Sequence, residues 1–172
     1  LKNRINQIEP GSNPELKDIE EKILAARGKI SPLYRTLLNS KDIAIGWESL
    51  ISAVRLKNSL PASIREICIL RVASLNKSLY EFEAHRIPAQ QAGLSNLQID
   101  NLLIEIDTSL FSTQELIVIQ LADAMTKEIE VSDQLFFTIA EHFNDREILE
   151  LVTTVASYNM VSRFLTALKI SY

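Results

Sequence analysis

The chain has 172 residues, 47% of them hydrophobic, with a formal net charge of -4 at pH 7. That length is enough to bury one good core and suits a single domain over 1–172, with residues 1–12 as an extended N-terminal arm. Lysines and arginines are scattered and outnumbered by acids, which argues against a nucleic-acid partner.

Only four glycines and five prolines occur, too little turn chemistry for a many-stranded sheet, so the fold class expected is all-α. Asn13 followed by Pro14 reads as N-cap and first position of a helix ending before Gly28, with Leu16, Ile19, Ile23 and Leu24 as its apolar stripe. Ser31-Pro32 starts a shorter helix carrying Leu33, Leu37 and Leu38. A third runs from about Asp42 to Lys57, with Ile43, Trp47, Leu50, Ile51 and Val54 at helical spacing. Pro61 sits at the first turn of a fourth, A-S-I-R-E-I-C-I-L-R-V-A-S-L, which is apolar on nearly every side and therefore central.

The next helix contains S-L-Y-E-F-E-A-H and closes at Gly93. Ser95 caps the following segment, and Ser112 with Glu115 forms a capping box for a helix over 113–127. Ser132 opens another. Asn144 and Glu147 begin a long last helix in which Ile148, Leu151, Val152, Val155, Met160, Phe164 and Leu168 are apolar around much of the circumference.

Apolar runs such as I-C-I-L and L-I-V-I end at Arg71 and Gln120, far short of the ~20 residues of a membrane span, so no membrane is expected. Cys68 is the only cysteine, which excludes an intrachain disulfide and a cysteine-based zinc site. The first ten residues lack an apolar signal core, and cytoplasm is the expected compartment.

Five groups are weighed for chemistry. Glu66 stands in a helix that otherwise reads as buried. Such a carboxylate is either paired with an arginine such as Arg65 or Arg71, or desolvated in the way a general acid or base requires. Ser78, Glu81 and His85 fall within roughly 60° of one another around a helix axis, with Phe82 beside them. Glu81 is placed to fix the tautomer of His85 and make it an acid/base group or proton shuttle, although Glu and His at this spacing also form ordinary surface pairs. Cys68, between Ile67 and Ile69, reads as a shielded, inert thiol. Asn159 and Arg163 either line a polar pocket or satisfy backbone at a helix crossing, the second being favoured, and His142 fits a helix C-terminus, where the dipole favours an imidazolium. No H-x-x-x-H or H-E-x-x-H spacing occurs, so neither a metal nor a cofactor is expected.

The runs L-P-A-S-I-R-E-I-C-I-L-R-V-A-S-L-N, Y-E-F-E-A-H, A-G-L-S, L-A-D-A-M-T, V-S-D and Y-N-M-V-S-R-F-L, taken in order, resemble the carboxymuconolactone decarboxylase family, which includes the alkylhydroperoxidase AhpD-like proteins. The resemblance covers the chain from about residue 30 onward. It implies an all-α fold built on a helix hairpin, assembled as a homotrimer or homohexamer with sites near subunit interfaces. It also places Glu66 on the family's glutamate, His85 on its histidine, and Ser78 and Glu81 on its two redox cysteines. Neither serine nor glutamate replaces a thiolate, so the dithiol cycle is absent.

Three readings follow. The first is a decarboxylase-like enzyme in which Glu66, Glu81 and His85 handle protons on a small organic acid or lactone, with Ser78, Phe82, Cys68 and Asn159 as pocket candidates. The second is a peroxidase using Cys68 and an external thiol. The third is a non-catalytic oligomeric binding protein.

Overall fold

The computed structural model describes residues 3–103 and 105–170, and among these only helices, turns and irregular segments occur. The helices are α1 (Lys17–Arg27), α2 (Pro32–Leu37), α3 (Lys41–Leu56), α4 (Ala62–Leu75), α5 (Leu79–Gln91), α6 (Asn96–Asn101), α7 (Thr113–Asp123), α8 (Asp133–His142) and α9 (Asp145–Leu168). They group into two compact units, Leu1–Lys57 with Leu165–Tyr172, and Asn58–Phe164.

In the first unit, Asn13 accepts a hydrogen bond from the Glu15 amide, and Pro14 opens a short 3-10 turn that leads into α1. Gly28 ends α1 at φ 72°, a left-handed geometry that glycine takes without steric cost. The buried apolar side chains include Ile19, Ile23, Leu33, Leu37, Leu38, Trp47, Ile51 and Val54. Leu24, Ile43 and Leu50 are 46%, 57% and 40% exposed, against the expectation that they belong to the apolar stripes. For Ile43 and Leu50 the reason lies in α3, whose buried face runs through Ala44, Trp47, Glu48, Ile51 and Val54, while α1 buries Ile19, Glu20 and Ile23 in place of Leu24. Glu48 replaces a hydrophobe on the α3 face because Arg27, Tyr34 and Ser52 all hydrogen-bond its carboxylate. Of the expected arm, residues 1 and 2 lie outside the described residues. The remainder is non-helical and tied down, with Ile8 N–H on the Arg35 carbonyl and Arg4 N–H on the Leu168 carbonyl.

The second unit is built on α4, which packs against α5 and α7. Ile67, Cys68, Ile69, Leu70, Val72 and Ala73 are all wholly buried, as the all-round apolar pattern of α4 requires. Arg71 remains buried in this helix because Asp123 on α7 takes its guanidinium in two hydrogen bonds of 2.5 and 2.9 Å, and the Leu102 carbonyl accepts a third.

The turn from α4 to α5 is tight, with Lys77 in the left-handed region at φ 56°. Pro88 lies inside α5, where it cannot donate to the Ala84 carbonyl. Ser95 and Ser112 head full capping boxes, and Ser132 accepts from the Leu135 amide. α7 stops at Asp123, earlier than the spacing predicts, and continues as a π-helical turn over Ala124–Glu128. Within α9, Leu151, Val155, Tyr158 and Val161 are buried, while Met160 is 38% exposed.

Candidate functional site

α4 and α5 lie side by side, so Glu66 on one helix meets His85 on the other. Their contact is a 2.6 Å hydrogen bond between His85 Nδ1 and Glu66 Oε2. On the opposite edge of the ring, His85 Nε2 lies 3.1 Å from Glu81 Oε1, one helical turn earlier in α5. The Tyr158 hydroxyl from α9 reaches the same Nε2 at 3.3 Å, with its ring edge-on to the imidazole at 5.2 Å. All four side chains are buried. Of the three candidate proton-handling residues, then, all converge on one imidazole.

This geometry favours a doubly protonated ring. Each ring nitrogen faces a carboxylate oxygen, and a bare nitrogen against a carboxylate is repulsive, so the contact wants a proton on both sides. In the imidazolium form Nδ1–H donates to Glu66 and Nε2–H to Glu81, both as charge-assisted bonds. Burial alone pushes the imidazole pKa down, but the hydrogen bonds and charges of Glu66 and Glu81 outweigh it, and His85 stands above its ordinary 6.5. Arg65 offsets part of the remaining negative charge, its Nε 3.7 Å from Glu66 Oε1. The expected structural pairing of Glu66 is thus partly present, through Arg65, whereas Arg71 is committed to Asp123.

The pocket candidates separate into two kinds. Ser78 is the N-cap residue of α5, not part of the helix interior as the sequence suggests. It is 4% exposed, and its hydroxyl has no hydrogen-bond partner. Phe82 is wholly buried on the same side of α5 and is a core residue.

Cys68 is wholly buried as well, and desolvation pushes its thiol up to about 12. The peroxidase reading that rests on this cysteine therefore lacks an accessible thiolate. Asn159 is turned to other work: its amide donates to Thr126 Oγ1 and the Val155 carbonyl, and its oxygen accepts from Asn76. Arg163 joins the same structural network at Asn76 Oδ1. His142 bonds the Thr138 carbonyl near the end of α8. Among the described residues, no group of three or more His, Cys, Asp or Glu side chains is arranged to hold a metal ion, and no helix is long and apolar enough to cross a membrane.

Sequence reasoning missed Tyr158. In a helix of apolar residues a tyrosine reads as core, and its hydroxyl acquires meaning only when α9 is laid against α5. Spacing held the one available signal, since Leu151, Val155, Tyr158 and Ser162 share a helical face.

No family model and no curated protein matches the sequence. Solved structures do match the fold. An uncharacterized peroxidase-related protein from Silicibacter sp. TM1040 superposes with a TM-score of 0.83 at 18% identity, covering 98% of this chain and 91% of its own. The alkylhydroperoxidase AhpD core of a peroxidase-related protein from Ralstonia eutropha JMP134 gives the same TM-score, identity and coverages. The debrominase Bmp8 superposes with a TM-score of 0.80 at 12% identity, over 96% of this chain and 89% of that one. At these identities the likeness is one of fold, and the fold of this chain is the AhpD-like helical fold.

Proposed function

We propose that the protein is a non-redox enzyme that transfers a proton at carbon, in the manner of a decarboxylase acting on a small lactone acid or related organic acid. One observation carries the reading: His85 is held between two buried carboxylates, with a short bond on one ring nitrogen and longer ones on the other. Such an imidazole is anchored at Nδ1 and available at Nε2, because the 3.1 and 3.3 Å contacts are more readily exchanged for a substrate atom than the 2.6 Å bond. Only one cysteine is present, so a dithiol cycle has no second thiol.

The chemistry balances without a redox partner. The C–C bond to the substrate carboxylate breaks, its electron pair passes to the adjacent carbonyl as an enolate, and carbon dioxide leaves. The His85 imidazolium then gives its Nε2 proton to the carbon, and Glu81 returns a proton from solvent. Glu66 is the positioning residue that keeps the ring charged and oriented. A small substrate is in keeping with the fold, since a variant of the debrominase Bmp8 was crystallised in complex with 2,3,4-tribromopyrrole.

The test is a panel of small lactone acids and β-keto acids in D2O, followed by NMR for carbon dioxide loss and deuterium at carbon. Turnover by the wild type is expected to fall about 10²–10⁴-fold in Glu81→Gln and His85→Ala, the usual contribution of a positioned acid. Full activity in both variants would sink the reading.

A further inference from the structure

The second polar feature of the site is an orphan. Ser95, Ser112 and Ser132 stand at helix starts with ψ between 149° and 166°, and each hydroxyl accepts a first-turn amide. Ser31, Ser40 and Ser78 also stand at helix starts and make no such bond, but of these three only Ser78 is buried. Its hydroxyl is shut away from water without a partner. A buried hydroxyl left unmade is unfavourable by itself. Nor does the Glu81 carboxylate, three residues on, take it up.

By helical spacing Ser78 lies on the same side of α5 as Glu81 and His85, two turns from the imidazole. It also lies at the positive end of the α5 dipole, where developing negative charge is favoured. Resting on the proton-transfer reading, we propose that the Ser78 hydroxyl and the amides of Leu79 and Glu81 at the start of α5 hold the substrate's carbonyl oxygen as it becomes an enolate oxygen. This commits the substrate class to acids with a carbonyl beside the carbon that His85 protonates. A neutral carbonyl is preferred to a second carboxylate there because Glu81 lies close by.

Four measurements on the full chain test the subsite. Ser78→Ala should lower kcat about 10²-fold or more with KM little changed, as loss of one transition-state donor does. The same variant should melt at or above the wild-type temperature, since it deletes an unpartnered buried hydroxyl. 4-Nitrophenol serves as an enolate mimic that needs no turnover: the wild type should bind it as the phenolate below its own pKa, raising its visible absorbance. Ser78→Ala should lose at least tenfold in that affinity. In the wild type, amide resonances of Leu79 and Glu81 should shift on binding. Unchanged kcat or unchanged phenolate affinity in Ser78→Ala overturns the subsite, as does binding without those shifts. Absent decarboxylation with Ser78-dependent phenolate binding instead overturns only the reaction and leaves the oxyanion subsite standing.

Discussion

His85 titrates against neighbours on three helices: Glu66 from α4, Glu81 from its own α5 and the Tyr158 hydroxyl from α9, with Arg65 beyond Glu66. Because the folded-state pKa is raised above the ordinary 6.5, the native state holds a proton that the unfolded chain releases. The ion group therefore stabilises the fold fully below about pH 6.5, and that stability is lost as pH rises through the folded-state pKa. Wild-type unfolding free energy, measured by urea titration, should fall by up to about 1.4 kcal/mol per pH unit above pH 6.5 relative to a Glu66→Gln/Glu81→Gln double variant. Parallel pH profiles would show that the imidazole is not held charged. At this scale much was legible from sequence. Glu66 betrayed itself as a carboxylate in an apolar helix, and Glu81 and His85 by their spacing. Spacing alone could not supply the meeting of α4 with α5, on which the bond from His85 to Glu66 depends; only the family resemblance pointed to it. Tyr158 was hidden for the same reason, because its role comes from a helix distant in the chain.

Helix boundaries were legible where a cap is made by local residues. Ser95, Ser112, Ser132 and the Asn144–Glu147 pair all do what their spacing predicts, since a capping box involves only four consecutive residues. Exposed stripe residues such as Leu24 and Ile43 were misread because periodicity fixes the angle of a face, not which edge of it a neighbouring helix covers. Ser78 shows the limit most clearly. Its position resembles the other serine caps, yet its hydroxyl caps nothing, as is also true of Ser31 and Ser40. Two serines at helix starts should then respond oppositely to the same change. Ser112→Ala removes a bond to the Glu115 amide and should cost about 1 kcal/mol in urea unfolding. Ser78→Ala should cost nothing or stabilise. Equal losses in the two variants would mean that Ser78 has a structural partner after all.

For the molecule as a whole, the AhpD-like resemblance read from the motifs is matched by the fold of the solved structures, over nearly the full chain. Assembly is the expectation that reaches furthest beyond a single chain. Large apolar side chains remain exposed on several helices: Ile43, Leu50 and Leu56 on α3, Leu79 and Ile87 on α5, and Phe136 and Phe137 on α8. Scattered exposed hydrophobes are ordinary, but residues as exposed as Leu79 at 68% and Phe137 at 66% are the kind that a second copy covers. The resemblance to the carboxymuconolactone decarboxylase family implies a trimer or hexamer of the 19.4 kDa chain, and we propose that these exposed side chains are what such a closed homo-oligomer buries. Light scattering on the eluting protein measures the mass directly. Leu79→Glu is the informative variant, since Leu79 begins α5 beside Ser78 and is exposed. If α5 lies at the interface, the variant should dissociate the assembly while the single chain stays folded by circular dichroism. A wild-type monomer at micromolar concentration would refute the assembly, and an intact oligomer in Leu79→Glu would move the interface away from α5 to the faces of α3 or α8.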